Sequence, residues 1–284
     1  MIPAAVRPRL IGPIAILIAA LAISAAPEAA PPRAKVWDRW LDHDPTATAT
    51  IDHGAWAGFL RRYLSVGSDG VARVAYCEVD TAGRAALDSY LGDLTAIPIS
   101  AYGRNEQMAY WINLYNVLTV RVVLDHYPVR SIRDIDISPG LFSDGPWGRK
   151  LVEVEGEPVS LDDIEHRILR PIWRDPRIHY AVNCASIGCP DLAAEPYRGD
   201  ALEAQLTRAA RAYVNHPRGV AINDGKLIVS KIYTWFRRDF GDGDSDVLRH
   251  LKAYAEPGLA MRLERFDGIH GDRYDWTLNR AEGC

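Results

Sequence analysis

The stretch His179-Tyr180-Ala181-Val182-Asn183-Cys184-Ala185-Ser186-Ile187-Gly188-Cys189-Pro190 is the densest run of reactive side-chain types in the chain. A cysteine becomes a nucleophile when its thiolate is stabilised, by an imidazolium or by converging N–H groups. Cys184 stands where an apolar run passes into a turn of small residues. His179 is the first candidate base, yet it lies an odd number of positions upstream, and along an extended strand odd offsets place side chains on opposite faces. The two meet only if the chain turns sharply at Asn183-Cys184, or if another histidine supplies the base. His166 is the next candidate, and Glu165 beside it can orient an imidazole or donate a proton. Cys184 and Cys189 fit a structural disulfide as well, because a turn at Ser186–Gly188 can bring their Cα atoms inside the roughly 7 Å such a bond needs. Inert buried thiols are the third reading. A metal site from His166, His179, Cys184 and Cys189 is weaker, since the tight two-residue spacings of zinc sites are absent.

Four further groups could line a site. Asn113 and Asn116, three apart on a helical stretch, share one face and could act as carbonyl or oxyanion partners; a structural network of buried amides is the competing reading. Trp111 and Tyr115 beside them, with Trp235 and Phe236, build either a core or a groove. Arg237 could grip a carboxylate, although a solvated face with snorkelling arginines is the commoner outcome. Asp242, Asp244 and Asp246 hint weakly at calcium, without the closing glutamate of an EF-hand loop.

These residues need elements to hold them. Trp56, Phe59, Leu60, Tyr63 and Leu64 follow helical spacing. The pattern predicts a strand at Val71–Val79 and a helix over about Thr81–Leu94. The strongest helical signal is Asn105–His126, stopped by Pro128. Asp136–Gly148 reads as a loop, Lys150–Val154 as a strand, and Ser160 with Asp162 and Asp163 opens a helix reaching Pro171. Ile178–Asn183 reads as a short buried strand running into the cysteine loop. Ala201–Asn215 is an amphipathic helix. Asn223-Asp224-Gly225 between two apolar runs is a strong hairpin signal, and Tyr233–Phe240 is helical. Helices interleaved with short strands predict an α+β fold: a single domain over residues 37–284, with helices packed on a small mixed or antiparallel sheet. No Gly-rich dinucleotide or phosphate loop occurs, so no cofactor is called for.

Composition sets the outer limits. The 284 residues carry 33 Lys+Arg against 37 Asp+Glu, a net charge of -4, which argues against nucleic acid as a partner. A small molecule or peptide is the expected substrate class. Arg7 and Arg9 precede the apolar run Leu10–Ile23 and the small residues Ser24, Ala25 and Ala26, the pattern of a signal peptide over residues 1–26. The Pro/Ala-rich residues 27–36 read as a flexible leader. A periplasmic or secreted protein without an integral membrane span is the expectation, and there each of Cys77, Cys184, Cys189 and Cys284 must be weighed as a disulfide half.

With AYWINLYNVLTV (109–120), VSLDDIEHRILR (159–170), IHYAVNCASIGCPDL (178–192), LIVSKIYTWFRRDFG (227–241) and YDWTLN (274–279), the chain resembles the family catalogued as domain of unknown function 547. The likeness spans roughly residues 75–279. It implies a shared Asn-Cys site with an upstream His and a second Cys-Pro, and equally a shared disulfide or core. The helix bearing Trp111 and Asn113, followed by a His-bearing segment, is loosely similar to papain and transglutaminase. The chain departs from that pattern in placing Cys184 after the histidine.

Two functions follow as expectations. One is an exported thiol-dependent hydrolase or acyl transferase acting on an amide or thioester. Cys184 attacks, His179 is the base, Glu165 orients or donates a proton, Asn113 or Asn183 aids the oxyanion, and Asn116, Trp111 and Arg237 line the substrate. The other is a non-enzymatic ligand- or protein-binding domain stapled by a Cys184–Cys189 disulfide.

Overall fold

The structure is a computed structural model that describes residues 32–140 and 145–284, all within one unit, Pro31–Cys284. The signal-peptide reading at residues 1–26, part of the 27–36 leader and part of the 136–148 loop lie outside the described residues. Residues 32–36, the rest of the leader, are exposed and carry no regular structure.

The first half runs through α1 (Gly54–Tyr63), β1 (Leu64–Val66), β2 (Ala72–Val74), α2 (Thr81–Thr95) and α3 (Arg104–His126). Asp80 caps α2 by accepting the Gly83 N–H at 2.7 Å. Next come β3 (Val152–Val154), β4 (Glu157–Val159), a π-helix at Asp163–Leu169, α4 (Arg170–Trp173) and α5 (Ile178–Ala181). The last part holds α6 (Leu202–Val214), β5 (Val220–Asn223), β6 (Lys226–Ser230), α7 (Lys231–Trp235), α8 (Arg237–Phe240), α9 (Asp244–Tyr254), α10 (Pro257–Leu263) and β7 (Gly271–Arg273).

The protein is a single α+β domain whose helices surround small sheets. β1–β2 and β3–β4 are antiparallel hairpins, while β6 pairs antiparallel with β5 and parallel with β7. At the tip of β5–β6, Asp224 and Gly225 have φ values of 48° and 73°, the left-handed pair that an Asp-Gly turn provides. Nearly the whole circumference of α3 is buried, from Glu106 to Leu124, so it is the axis of the core and not a surface helix. Among the described residues no helix is long and apolar enough to cross a membrane.

Two hydrophobic clusters meet near the cysteine loop. The larger surrounds α3, and the second gathers Tyr213, Leu227, Val229, Tyr233, Val247 and Leu251 from α6 to α9. α5 is shared: Ile178 and Ala181 belong to the first cluster and Tyr180 to the second.

Three expectations are corrected. The strand expected at Ile178–Asn183 is the helix α5 followed by extended Val182. An apolar run buried on all sides shows no period to separate helix from strand, and here turn bonds and a side chain from α3 satisfy its backbone in place of a ladder. The strand expected at Val71–Val79 is cut to β2 followed by a 3-10 turn, Tyr76–Glu78. Helical structure also continues past Pro171 to Trp173, because the π-helix widens the turn and the Arg170 N–H reaches back to the Glu165 carbonyl.

Candidate active site

Val182 leaves α5 extended, and the chain then bends sharply. Ala185 sits at φ 56°, a left-handed conformation that costs a non-glycine residue about 1–2 kcal/mol. The bend is held from three sides. Asn183 Oδ1 accepts the Ala185 N–H at 2.9 Å, the Asn279 N–H donates to the Ala185 carbonyl at 3.1 Å, and Asn116 Oδ1 takes the Asn183 N–H at 2.8 Å. The segment after β7 lies along the loop, where Ile187 and Gly188 donate to the Thr277 and Asp275 carbonyls, each at 2.8 Å. Gly188 is required there, because a Cβ would stand 2.6 Å from the Asp275 nitrogen. From the other flank Arg218 donates to the Ile187 and Cys189 carbonyls at 3.0 and 2.9 Å, and Tyr213 to the Gly188 carbonyl at 2.6 Å.

This brace sets three hydrogen-bonding groups around the half-buried Cys184 sulfur. Tyr274 Oη lies at 3.0 Å, Ser186 Oγ at 3.3 Å and Cys189 Sγ at 2.9 Å. The Tyr274 phenol is fixed between Trp235 and Trp276, with ring centroids at 4.8 and 4.7 Å. Burial alone would push the Cys184 thiol up, but hydrogen bonds from Cys189, Ser186 and Tyr274 outweigh it and hold the group down at about 7. Cys189 moves the other way, raised by burial and by the charge on Cys184 beside it. Of the two sulfurs, Cys184 is therefore the one that ionises first. Cys189 also accepts the Cys184 backbone N–H at 3.0 Å.

A second constellation lies on the π-helix, α4, α5 and α8. His179 Nε2 bonds Asp239 Oδ2 at 2.7 Å, and the same carboxylate takes the Arg170 Nε–H at 2.6 Å. His166 Nδ1 accepts from Arg170 at 2.9 Å, and Glu165 lies 3.7 Å from His179 Nδ1. Phe236 stacks on the His179 ring at 4.2 Å. Burial pushes both histidines below their usual range, so they are neutral near pH 7. Burial likewise raises Glu165, against the pull of Arg170, to about 8, so it keeps its proton. Asp239 would be raised by burial, but His179 and Arg170 hold it at about 2.

Comparison with known proteins places part of this architecture. Residues 99–214 match the family described as Protein of unknown function, DUF547. Over that stretch the chain is similar to this family. The match spans α3 to α6, including Glu165, His179, Cys184 and Cys189; the 227–241 and 274–279 stretches, with Asp239 and Tyr274, lie beyond it. No curated protein and no solved structure matches the chain.

Of the expected site residues, Cys184 and His179 fall in different constellations. The hydrogen-bond partners of the Cys184 sulfur among the described residues are Cys189, Ser186 and Tyr274, while the His179 ring engages Asp239. Glu165 stands with His179 and receives a hydrogen bond from Tyr115, and negative charge on Cys184 reaches it only through space, helping to keep it protonated. The three asparagines hold backbone. Asn113 clasps the Tyr197 N–H and carbonyl, Asn116 the Ala181 carbonyl and Asn183 N–H, and Asn183 the Pro190 carbonyl and Ala185 N–H. Trp111 is core, edge-on to Trp40 at 4.9 Å. Arg237 pairs with Asp244, and Asp246 accepts from Asp242 N–H and Arg249, so these acids cap and pair. Cys77 and Cys284 form a disulfide that ties the tail beyond Tyr274 to the turn after β2. Sequence reasoning missed Ser186, Tyr274 and Asp239 as partners. Ser186 carried a signal, a hydroxyl two residues from Cys184; Tyr274 carried only its place at the head of a family-like stretch.

Proposed function

We propose that the domain is an exported thiol-dependent hydrolase or acyl transferase in which Cys184 attacks the acyl carbon of a thioester or amide. The observation that carries this reading is the convergence of the Tyr274 and Ser186 hydroxyls and the Cys189 thiol on the sulfur, all groups able to donate to a thiolate. They stabilise the thiolate before substrate arrives, so no imidazole has to take its proton. As negative charge moves from sulfur to the carbonyl oxygen, the Ser186 and Tyr274 hydroxyls lose their acceptor and can turn to the oxyanion. Collapse expels the leaving group and leaves an acyl-Cys184 thioester, which water or a second nucleophile resolves. An amine must be protonated as it leaves; a thiolate need not be. Tyr274, raised by burial and by Cys184, is a weak acid, and protonated Glu165 belongs to the buried cluster, so the site favours a thioester over an amide. The partly exposed rings of Trp235 and Trp276 beside Tyr274 offer a wall for the acyl group. The Cys77–Cys284 disulfide and the leader sequence support an oxidising compartment outside the cytosol.

The test is to incubate the reduced protein with a small acyl thioester and map adducts by mass spectrometry. An acyl group on Cys184, lost in Cys184→Ser, is the expected result. Absence of both adduct and turnover in the wild type overturns the assignment. The rival, a binding domain stapled by Cys184–Cys189, draws on the 2.9 Å approach of the two sulfurs, and a link that withstands dithiothreitol in the folded protein would favour it.

A further inference from the structure

We propose a second activity at the same loop: thiol–disulfide exchange with a low-molecular-weight disulfide, in which Cys184 attacks and Cys189 resolves. This rests on the reading that Cys184 is an accessible thiolate, and needs no acyl chemistry. The two sulfurs stand 2.9 Å apart, so they close to a bond of about 2.05 Å by moving less than about 1 Å. Their exposure differs in the sense the two roles require. Cys184 is half-buried and meets a solvent-borne disulfide, whereas Cys189 is 4% exposed and reaches only its neighbour. The loop is rigid where this matters, since Arg218, Tyr213 and the 275–279 segment fix the Ile187, Gly188 and Cys189 backbone.

The steps balance. The Cys184 thiolate attacks one sulfur of a disulfide RSSR, forming Cys184–S–SR and releasing RS⁻. With the charge on Cys184 gone, the Cys189 S–H has lost its acceptor, while the Cys184 backbone N–H at 3.0 Å still supports negative charge on Cys189 Sγ. Cys189 then attacks Cys184 Sγ, its proton passes to the departing sulfur, and RSH leaves. Two electrons move from the protein sulfurs to the disulfide, and a dithiol reverses the cycle.

The experiment treats the full chain, reduced under conditions that spare Cys77–Cys284, with cystine, and follows it by intact mass and non-reducing peptide mapping. The wild type is expected to pass through a cysteinyl adduct on Cys184 to a Cys184–Cys189 link with no net adduct, releasing two cysteines. In Cys189→Ser the adduct on Cys184 should persist at least about ten-fold longer. A wild-type adduct as persistent as that of the variant overturns the proposal, as does a wild type that forms neither adduct nor link. The acyl-thioester assay on the same reduced wild type separates the two readings. A Cys184–Cys189 link without acylation sinks only the acyl chemistry, and acylation without a link sinks only the exchange.

Discussion

The sulfur loop and the Asp239 cluster take Cys184 and His179 from one short stretch, yet they solve opposite electrostatic problems. At Cys184 a single negative charge is shared among neutral donors in a partly open bend. Around His179, charges of both signs are taken out of water and cancelled by bidentate and ring contacts. The first arrangement leaves an anion reactive because its partners can be released from it. The second ties every partner to another and suits holding helices together. Nearness in sequence therefore misleads: α5 turns His179 toward α8, and the extended step at Val182 carries Cys184 to the seam between the two hydrophobic clusters.

Substitutions in the two regions should separate by what they damage. The largest loss of stability is expected from Asp239→Ala, which strands the Arg170 guanidinium and His179 Nε2. Uncompensated buried charge of this kind costs about 3 kcal/mol, read as a lowered denaturation midpoint. The pH dependence of Cys184 alkylation should stay where it was, and a shifted inflection would merge the two regions into one site. Tyr274→Phe should do the reverse. Removing one hydrogen bond to a charged group costs the thiolate about 1.5–3 kcal/mol, so the Cys184 inflection should rise by about one unit or more. Its melting temperature should change little, and an unmoved inflection would remove Tyr274 from the site.

The smallest expected effect concerns Glu165. In the fold it keeps its proton up to about 8, against an ordinary value of 4.5. Between those values the folded state binds more protons than the unfolded one, so this group's contribution to stability declines as pH rises through the window. Glu165→Gln should remove that contribution, making the slope of melting temperature against pH less negative than in the wild type. Equal slopes would show that Glu165 is ionised in the fold.

Local chemistry was legible in the sequence where it is self-contained. α2 and α3 fall within a residue of their expected bounds because local signals set their limits, the Asp80 cap for α2 and the long apolar run stopped before Pro128 for α3. Asn223-Asp224-Gly225 announced its hairpin for the same reason. α5 was not legible, since four buried residues carry no period and the side chain that holds its C-terminal end, Asn116, comes from far upstream. The cysteine loop was visible as a reactive place, but not what ionises it. Tyr274 is 90 residues from Cys184 and Asp239 is 60 from His179. No spacing rule reaches across such distances; only the packing of α8 and of the disulfide-anchored tail brings those groups in.

The most direct test of the central claim is the alkylation rate of Cys184 in the reduced protein as a function of pH, read by peptide mass spectrometry with iodoacetamide. A thiolate held by Tyr274, Ser186 and Cys189 predicts labelling at Cys184 whose rate climbs through an inflection near 7. An inflection at the ordinary thiol value of 9.0, or no labelling of Cys184 at any pH at which the protein stays folded, would contradict it.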